Sequence, residues 1–388
     1  MTRLGDVCEK IGSGATPRGG KEAYKDAGIP IIRSQNIHDW VFQPDGLAFL
    51  DDEQAESLSN VEVRSNDVLL NITGDSVARA CIVPSERIPA RVNQHVAIVR
   101  AGKEINPTYL LASLQSKKTM LLSLASSGAT RNALTKRMIE NLDIDLPSRE
   151  IQDSIAQVLD SIQYKITLNN RLNDYLEQLV DGKFQELFGG LNFNATLSDV
   201  AEITMGQSPA GSSYNEEGAG IIFYQGRGEF GWRFPKRRLY TTEPKRLACE
   251  GDVLMSVRAP VGDLNVAFEN CCIGRGLAAI HSETPSFALY LMRFLKPQLE
   301  AYNGEGTVFG SINGKALKSL EVALPSHNEV MQFESFAAPI DALIRSNENE
   351  TRKLNNLRNY LLPKLMSGEI DVSKVDLTQL TNNHLADC

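Results

Sequence analysis

The sequence is poor in the features that mark membrane-spanning and secreted proteins. No apolar run reaches the roughly 18 residues of a transmembrane helix, and the residues after Met1 lack the apolar core of a secretory signal. The six cysteines form no Cys-x-x-Cys pair, and no histidine follows them at a zinc-binding spacing. We therefore expect a cytoplasmic chain with free thiols and no contact with a membrane.

Motifs of catalysis are also missing. There is no Asn-Pro-Pro-Tyr or Asp-Pro-Pro-Tyr tetrapeptide of an amino-methyltransferase and no complete phosphate-binding loop. The nearest approach to such a loop, residues 310–316, is one residue short and lacks the hydroxyl that binds magnesium. The five histidines are scattered. The sequence thus predicts no catalytic residue, no bound cofactor and no metal ligand, which disfavours an autonomous nuclease.

Acidic residues outnumber basic ones, yet the basic residues are clustered. The net charge of −8 argues weakly against nucleic acid, but net charge is a poor guide when Lys and Arg concentrate locally. No acidic residue occurs between Glu104 and Glu140, and only two acidic residues interrupt the second cluster, at 227–246. Each cluster is either a nucleic-acid-binding surface or a solvated face.

The two halves of the chain repeat one another. Five short matches occur in the same order in both halves: 4–7 with 197–200, 31–35 with 221–225, 67–70 with 252–255, 109–110 with 290–291, and 146–148 with 324–326. The separation between matched residues falls steadily from 193 to 178, as small loop deletions would produce. We infer two copies of one structural unit, each about half the chain.

The hydrophobic period changes within each copy. The first part has short strand-like runs bounded by Gly, Pro, Asn and Asp, at 67–72, 96–99, 252–257 and 277–280, followed by a short helix near 109–122 and 287–299. In the second part, apolar residues recur at steps of three and four, which is typical of one stripe on a long helix. Each copy is therefore predicted to be a mixed α/β domain followed by a helix.

The two long helices are predicted near 148–188 and 326–370. Ser148 can cap the first, and Ser326 with Glu329 has the spacing of a capping box at the second. Pro339 and Pro363 are expected to kink or break the second helix. The stripe residues are Ile151, Ile155, Val158, Ile162, Ile166, Leu172, Leu176 and Leu179, then Val330, Phe333, Ala337, Ile340, Ile344, Leu354, Leu357 and Leu361.

These helices predict the architecture of the whole chain. A helix of roughly 40 residues is about 60 Å long, which is too long for one small domain. The expected class is therefore α+β, with two pseudo-symmetric mixed α/β domains separated by two long helices that pack as an antiparallel coiled coil. Two unrelated bundles in independent domains are the alternative.

The repeated residues also resemble those of a known family. The stretches 4–7, 31–33, 67–74, 251–258 and 273–276, the Leu-Pro pairs at 146–147 and 324–325, and the segment 361–370 are similar to the specificity subunit of type I restriction–modification enzymes. The resemblance covers about residues 1–372. It implies target-recognition domains at 1–147 and 191–325, helices that act as spacers and dock partners at 148–190 and 326–372, and a disordered tail at 373–388.

The resemblance further implies what such a subunit does. It would be non-catalytic by itself and would read a bipartite sequence in double-stranded DNA. It would assemble with two methyltransferase subunits and, for cleavage, with two motor–nuclease subunits. S-adenosylmethionine, ATP and magnesium would belong to those partners and not to this chain.

Candidate DNA-binding residues follow from the chemistry of readout. Phosphate contacts need Lys and Arg, whereas base edges are read by Arg at guanine and by Asn or Gln at adenine. Residues 93–95 of the first copy, Asn-Gln-His, stand against Gly-Arg-Gly at 274–276, a difference expected of two readers of different sequences. The predicted DNA-binding residues are Arg33, Gln35, Asn36, Arg131, Asn132, Lys136, Arg137, Gln225, Arg227, Arg233, Lys236, Arg237, Arg238, Arg258, Arg275 and Lys315.

Two other functions remain open at this point. One is the specificity module of a related phage-defence methylation system with different partners. The other is a structural adaptor that binds no DNA and whose basic clusters are solvated. Sequence-specific duplex binding that weakens steeply with salt distinguishes a DNA reader from an adaptor.

Overall fold

The computed structural model describes residues 1–126, 132–304 and 310–372. The chain divides into two compact units, unit 1 (Met1–Leu168 with the chain from Glu350 onward) and unit 2 (Asn169–Asn349). Each unit therefore contains one sequence copy together with half of each long helix. In the described part of the chain, no helix is long and apolar enough to cross a membrane.

Unit 1 is built on two four-stranded sheets. Their strand orders are β6-β3-β10-β7 and β2-β11-β8-β9. Its strands are β1 (Thr2–Arg3), β2 (Cys8–Ser13), β3 (Ile29–Ile32), β4 (Ile37–His38), β5 (Val41–Phe42), β6 (Ala48–Leu50), β7 (Glu62–Val63), β8 (Val68–Asn71), β9 (Ala80–Ile82), β10 (Ala90–Val92), β11 (Val96–Ala101) and β12 (Asp143–Ile144). Its helices are α1 (Leu4–Val7), α2 (Asp52–Ser57), α3 (Pro107–Ser116), α4 (Lys118–Ser126), α5 (Lys136–Glu140) and the first half of α6 (Arg149–Phe188).

Unit 2 repeats this arrangement with one added edge strand. Its main sheets have the orders β15-β17-β16-β21-β18 and β14-β22-β19-β20. Its strands are β13 (Ala195–Thr196), β14 (Glu202–Met205), β15 (Tyr214–Asn215), β16 (Ile221–Tyr224), β17 (Leu239–Thr241), β18 (Leu247–Ala248), β19 (Val253–Ser256), β20 (Leu264–Val266), β21 (Cys271–Ile273), β22 (Leu277–His281) and β23 (Glu321–Val322). Its helices are α7 (Leu197–Val200), α8 (Pro285–Phe294), α9 (Lys296–Glu300), α10 (Gly314–Lys318) and the first half of α11 (His327–Met366).

The two units share one strand order, so the predicted duplication is confirmed. In both, a parallel pair lies inside an otherwise antiparallel sheet: β3 with β10, and β16 with β21. Strands β8, β11, β19 and β22 are the four runs predicted from alternation and turn residues. The short helices that follow them are each divided in two, into α3 and α4 at Lys117 and into α8 and α9 at Leu295.

The long helices begin and end close to the predicted residues. Ser326 and Glu329 form the expected capping box, since Ser326 N donates to Glu329 Oε2 at 2.8 Å and Glu329 N donates to Ser326 Oγ at 3.4 Å. The expected break is wrong, because α11 runs unbroken through Pro339 and Pro363. Each proline removes one backbone hydrogen bond from the helix. The hydrogen bonds and packing of the other turns keep α11 continuous at Pro339 and Pro363.

The long helices pack antiparallel within each unit. In unit 1, Arg358 donates to Gln163 at 2.5 Å, and Lys165 lies 3.5 Å from Glu350. In unit 2, Asn347 donates to Asn173 at 2.8 Å, and the rings of Phe184 and Phe333 lie 5.4 Å apart. Rising residue numbers on one helix meet falling numbers on the other in both cases. This confirms the predicted antiparallel pairing.

The buried seam differs from the predicted stripe in the middle of the helices. Leu172, Leu179 and Leu357 were assigned to the stripe and are 38%, 53% and 45% exposed. The seam is instead continued by polar side chains, which are Asn169, Asn173, Asn347, Thr351 and Arg358. A prediction based on hydrophobicity alone does not include these polar residues. They can be buried because they form hydrogen bonds inside the seam, which the hydrophobic pattern does not show.

Candidate nucleic-acid interface

In unit 1, three loops meet where the central strands end. β3 and β10 are parallel neighbours, with Val92 opposite Ile32, so residues 33–36 and 93–95 leave the sheet at the same edge. β8 ends there too, because it runs antiparallel to β11 and Asn71 lies opposite Val96. We call the surface formed by residues 33–36, 72–76 and 93–95 edge 1. Loops at strand ends are common positions for binding residues, because the sheet holds them rigidly.

Backbone hydrogen bonds hold the loops of edge 1 together. Ile72 N donates to His95 O at 3.0 Å, and Gly74 N donates to Asn132 O at 3.2 Å. Leu134 N also donates to Ile72 O, at 2.8 Å, which fixes the start of α5 beside the edge. The edge is therefore a fixed surface and not a set of independent loops.

Unit 2 forms an equivalent surface, edge 2, from residues 225–229, 257–260 and 274–276. β16 and β21 are parallel there, with Tyr224 opposite Ile273. Val257 N donates to Gly276 O at 3.0 Å, Ala259 N to Gly310 O at 3.0 Å, and Ile312 N to Val257 O at 3.1 Å. These three bonds match those of edge 1 one for one. The backbone framework of the two edges is therefore the same.

The side chains on the two edges are not the same. The isolated bridge Thr73–Ala133 of unit 1 corresponds to Arg258–Ser311 of unit 2, so Arg258 stands where Thr73 does. Arg275 likewise takes the position of Gln94. Both arginines are exposed, and neither forms an ion pair within the described part of the chain. Edge 2 is thus cationic where edge 1 carries a hydroxyl and an amide.

Edge 1 borders a cleft of about 830 Å³. Thr73 Oγ1 lies 2.7 Å from His95 Nδ1 inside it, and His95 Nε2 lies 3.4 Å from Gln94 Nε2. The cleft is lined by Ser34, Gln35, Thr73, Gly74, Asp75, Ser76, Arg79, His95, Asn132 and Ala133. This set offers hydrogen-bond donors and acceptors in about equal measure, which suits base edges better than a run of phosphates.

The structure corrects one of the five sequence matches, the alignment of residues 31–35 with 221–225, by two residues. The sequence aligned Gln35 with Gln225, on an offset of 190 residues between Ile31 and Ile221. The parallel ladders place Ile31 opposite Arg91 and Phe223 opposite Cys272, so Ile31 corresponds to Phe223. Gln35 and Gln225 are therefore not equivalent. A match of two isoleucines cannot fix a register, because every second residue of a strand lies on the same face.

About half of the predicted DNA-binding residues lie on or beside the two edges. Gln35, Asn132, Gln225, Arg227, Arg258 and Arg275 are all exposed there. Asn36 is instead fully buried, and its side chain bonds to the backbone of Arg33, Gln43 and Asp45. Arg33 is half-buried, with its guanidinium 2.5 Å from Gly46 O. These two side chains shape the loop of edge 1 from within.

The basic clusters do not form single surfaces. Arg131 lies outside the described residues, while Lys136 and Arg137 are exposed in the first turn of α5. In the second cluster, Lys236 is exposed, Arg237 pairs with Glu269 at 2.6 Å, and Arg238 pairs with Glu229 at 2.8 Å.

Arg233 stands apart from the other predicted residues. It is 4% exposed, and its guanidinium donates to Asp341 at 3.0 Å, to Glu177 at 3.0 Å and to the Tyr290 hydroxyl at 3.2 Å. A side chain enclosed in this way has no donor to offer a phosphate. Arg233 is therefore a structural residue that ties a loop of unit 2 to the halves of α6 and α11 in that unit.

A basic side chain stands at the equivalent position beside each edge. The Thr135 hydroxyl caps α5 by accepting from Met138 N, and the Asn313 side-chain oxygen caps α10 by accepting from Ala316 N. Counted from these caps, Arg137 and Lys315 are equivalent, and both are exposed. Sequence reasoning missed other polar residues of edge 1, among them Ser34, Thr73 and His95. Their signal was their position in the short loops that follow β3, β8 and β10, not their charge.

Comparison with known proteins agrees with the duplication. A family model described as the type I restriction modification DNA specificity domain matches residues 1–178 and again 194–359. The chain is similar to a putative type I restriction enzyme specificity subunit, MjaX, of Methanocaldococcus jannaschii, with 29% identity over 96% of this chain and 93% of that protein. It is also similar to the MjaIX specificity subunit of that organism, with 21% identity over 97% and 94%. Among solved structures, a type I restriction–modification S subunit from M. genitalium shares the fold, with 14% identity, a TM-score of 0.59 and coverage of 94% and 95%.

Proposed function

Since the chain belongs to the type I restriction–modification DNA specificity family, we propose that edge 1 and edge 2 each read one half of its split DNA target. As a specificity subunit it works with DNA and with methyltransferase and restriction subunits. The observation that carries the proposal is the pair of edges, which share one backbone framework and differ in exposed side chains. A common frame with different contacts suits one protein that reads two different half-sites.

Shared and unshared positions have different roles in this proposal. Arg137 and Lys315 are cations at equivalent positions, so they hold phosphates, which carry no sequence information. Arg258 and Arg275 have no cationic counterpart in unit 1, so they read base edges, with guanine the expected partner. Gln35, Gln94 and Asn132 present exposed amides at edge 1, and adenine is their expected partner.

The long helices dock the catalytic partners. Large apolar side chains are exposed on them in both units: Tyr164, Leu168, Leu357 and Tyr360 in unit 1, and Leu172, Tyr175, Leu179 and Leu343 in unit 2. Exposed apolar side chains at helical spacing are typical of a surface that another protein covers. The subunit assembles with two methyltransferase and two motor–nuclease subunits in the cytoplasm. It is non-catalytic by itself, and S-adenosylmethionine, ATP and magnesium bind to those partners.

The experiment compares edge variants in the assembled methyltransferase. Arg258→Ala and Arg275→Ala should each relax one position of one half-site, at a cost of about 1–3 kcal/mol in discrimination, and leave the other half-site intact. Arg137→Ala and Lys315→Ala should weaken binding to all sequences and lower the slope of affinity against salt by about one phosphate. Methylation motifs and salt titrations of duplex binding measure the two effects.

Arg87→Ala is the matched control. This exposed arginine precedes β10 and so lies at the opposite end of the strand from edge 1. It should change neither the motif nor the salt slope. The proposal fails if the edge 2 variants alter no base preference, or if Arg87→Ala has the same effect as Arg137→Ala.

A further inference from the structure

Both units bury an aspartate at the same place in the turn before a central strand. Asp67 and Asp252 are 1% and 5% exposed and directly precede β8 and β19. In each turn the carboxylate accepts the backbone N–H three residues earlier, from Arg64 in unit 1 and from Cys249 in unit 2, both at 2.7 Å. The turns are therefore equivalent, and each buried carboxylate needs a positive partner.

The partners differ between the units. In unit 1, the Arg100 guanidinium donates two hydrogen bonds to the Asp67 carboxylate, of 2.7 and 2.8 Å. In unit 2 the residue at that position is His281, whose Nδ1 lies 2.6 Å from Asp252 Oδ1. The register of the ladder explains the contact, because Val253 pairs with Ile280 and so Asp252 faces His281. Cys249 takes the position of Arg64.

Unit 2 thus brings together a thiol, a carboxylate and an imidazole where unit 1 has two arginines and a carboxylate. The ligand atoms of Cys249, Asp252 and His281 all lie within 4.8 Å of one another. We propose that these three residues bind a divalent cation that prefers sulfur and nitrogen ligands, with Zn²⁺ the best match. The sequence predicted no metal ligand, because His281 lies 29 residues from Asp252 along the chain.

The geometry fits a three-ligand site that also holds a water. Zn²⁺ binds Cys sulfur at about 2.3 Å, His nitrogen at about 2.0–2.1 Å and carboxylate oxygen at about 2.0–2.2 Å, which puts ligand atoms roughly 3.3–3.6 Å apart. The side chains of Cys249 and His281 are exposed and can adjust to this spacing, with His281 Nδ1 moving outward from its 2.6 Å distance to Asp252 Oδ1, while Asp252 is held by the turn. Among the described cysteines, Cys249 is the exposed one, whereas burial raises the pKa of Cys81 well above its ordinary value.

A bound metal would do in unit 2 what Arg100 does in unit 1. It would join the end of β22 to the turn before β19 and neutralise the buried carboxylate. Cys249 would bind as the thiolate and His281 as the neutral imidazole, so metal binding would release the thiol proton and the imidazolium proton that pairs with Asp252 in the metal-free chain.

The test is a titration of the full-length chain, stripped of metal with a chelator, first with Co²⁺ and then with Zn²⁺. One equivalent of Co²⁺ should give the near-ultraviolet absorption of a cobalt–thiolate bond, and Zn²⁺ should displace it. His281→Arg rebuilds the unit 1 ion pair with Asp252, so it should fold normally and lose the absorption. Cys249→Ser should lose it as well, and Cys8→Ser, at a thiol of unit 1, should keep it.

Circular dichroism of each variant confirms that the fold is retained. Absence of the cobalt–thiolate band in the wild-type chain would overturn the proposal, because the three side chains would then form only a hydrogen-bonded cluster. A band that survives in His281→Arg or in Cys249→Ser would also overturn it, because another thiol would then be the ligand.

Discussion

Basic side chains have two different roles in this protein, structural or solvent-facing, and their surroundings decide which. Arg233 is enclosed by Glu177, Asp341 and Tyr290, while Lys236, three residues later, is exposed. Sequence assigned both to DNA, since a charge cluster says nothing about burial. The acids that bury Arg233 come from distant parts of the chain, so no local pattern could have revealed them.

Removing each of these two cations should have a different result. Arg233→Ala removes the buried guanidinium from Glu177 and Asp341, which keep Arg293 and the Tyr290 hydroxyl as partners. It should lower the free energy of unfolding by about 3 kcal/mol, the low end of the roughly 3–5 kcal/mol that breaking a buried pair costs, because the two acids keep other partners and some solvent contact. Lys236→Ala should leave stability within about 0.5 kcal/mol of the wild type. Urea unfolding measures the difference, and equal losses for the two variants would contradict the assignment of Arg233.

The long helices show what sequence can and cannot predict about an element. Their ends were predictable, because a capping box and a hydrophobic period mark them locally. Their buried face was predictable only where it is apolar. In the middle, Asn173 and Asn347 enter the seam because they bond to each other, and a pair 174 residues apart in sequence leaves no local signal.

The register of β3 and β16 was misjudged for a similar reason. Strand existence follows from alternation and turn residues, but the pairing of two strands depends on residues elsewhere in the sheet. The shift of two residues kept every side chain on its own face. It nevertheless changed which polar residues of the following loops correspond, and so removed the apparent equivalence of Gln35 and Gln225.

Substitutions on the exposed face of α6 should impair assembly with the partner subunits, whereas substitutions on its buried face should lower the stability of the fold. Tyr175 and Leu179 are 69% and 53% exposed, so Tyr175→Asp with Leu179→Asp should keep the fold and reduce assembly with the methyltransferase subunits. Phe184 is 3% exposed and packs against the rings of Phe188 and Phe333, so Phe184→Ala should cost about 3–5 kcal/mol in stability.

Size-exclusion chromatography of the mixed subunits, together with thermal unfolding, checks both outcomes for α6. If the exposed double variant assembled with wild-type affinity, that face would not be a docking surface. If it unfolded as readily as Phe184→Ala, the face would belong to the core.

At the scale of the whole molecule, the chain consists of two copies of one structural unit. The same strand order, the same turn with a buried aspartate and the same bonds between loops recur in both units. Sequence could predict the duplication because five matches kept their order along the chain. It could not predict the edges, since each is assembled from three loops that only the parallel strand pair brings together.

The division of the chain into domains stays a prediction. Boundaries at 147, 190, 325 and 372 assign each long helix to a segment of its own. In the structure the compact units each take one half of each helix. A domain exchange that cuts before α6 tests whether the globular part of a copy can be replaced without its helix.

The most direct measurement is the methylation motif of a cell that carries such an exchanged protein with its methyltransferase partner. Residues 1–145 are replaced by the equivalent domain of another specificity subunit, and modified bases are mapped across the genome. If each edge reads its own half-site, one half of the bipartite motif changes, while the other half and the spacing stay as in the wild type. If both half-sites changed together, or if the motif became contiguous, the two units would not be independent readers, and the account of the duplication would be wrong.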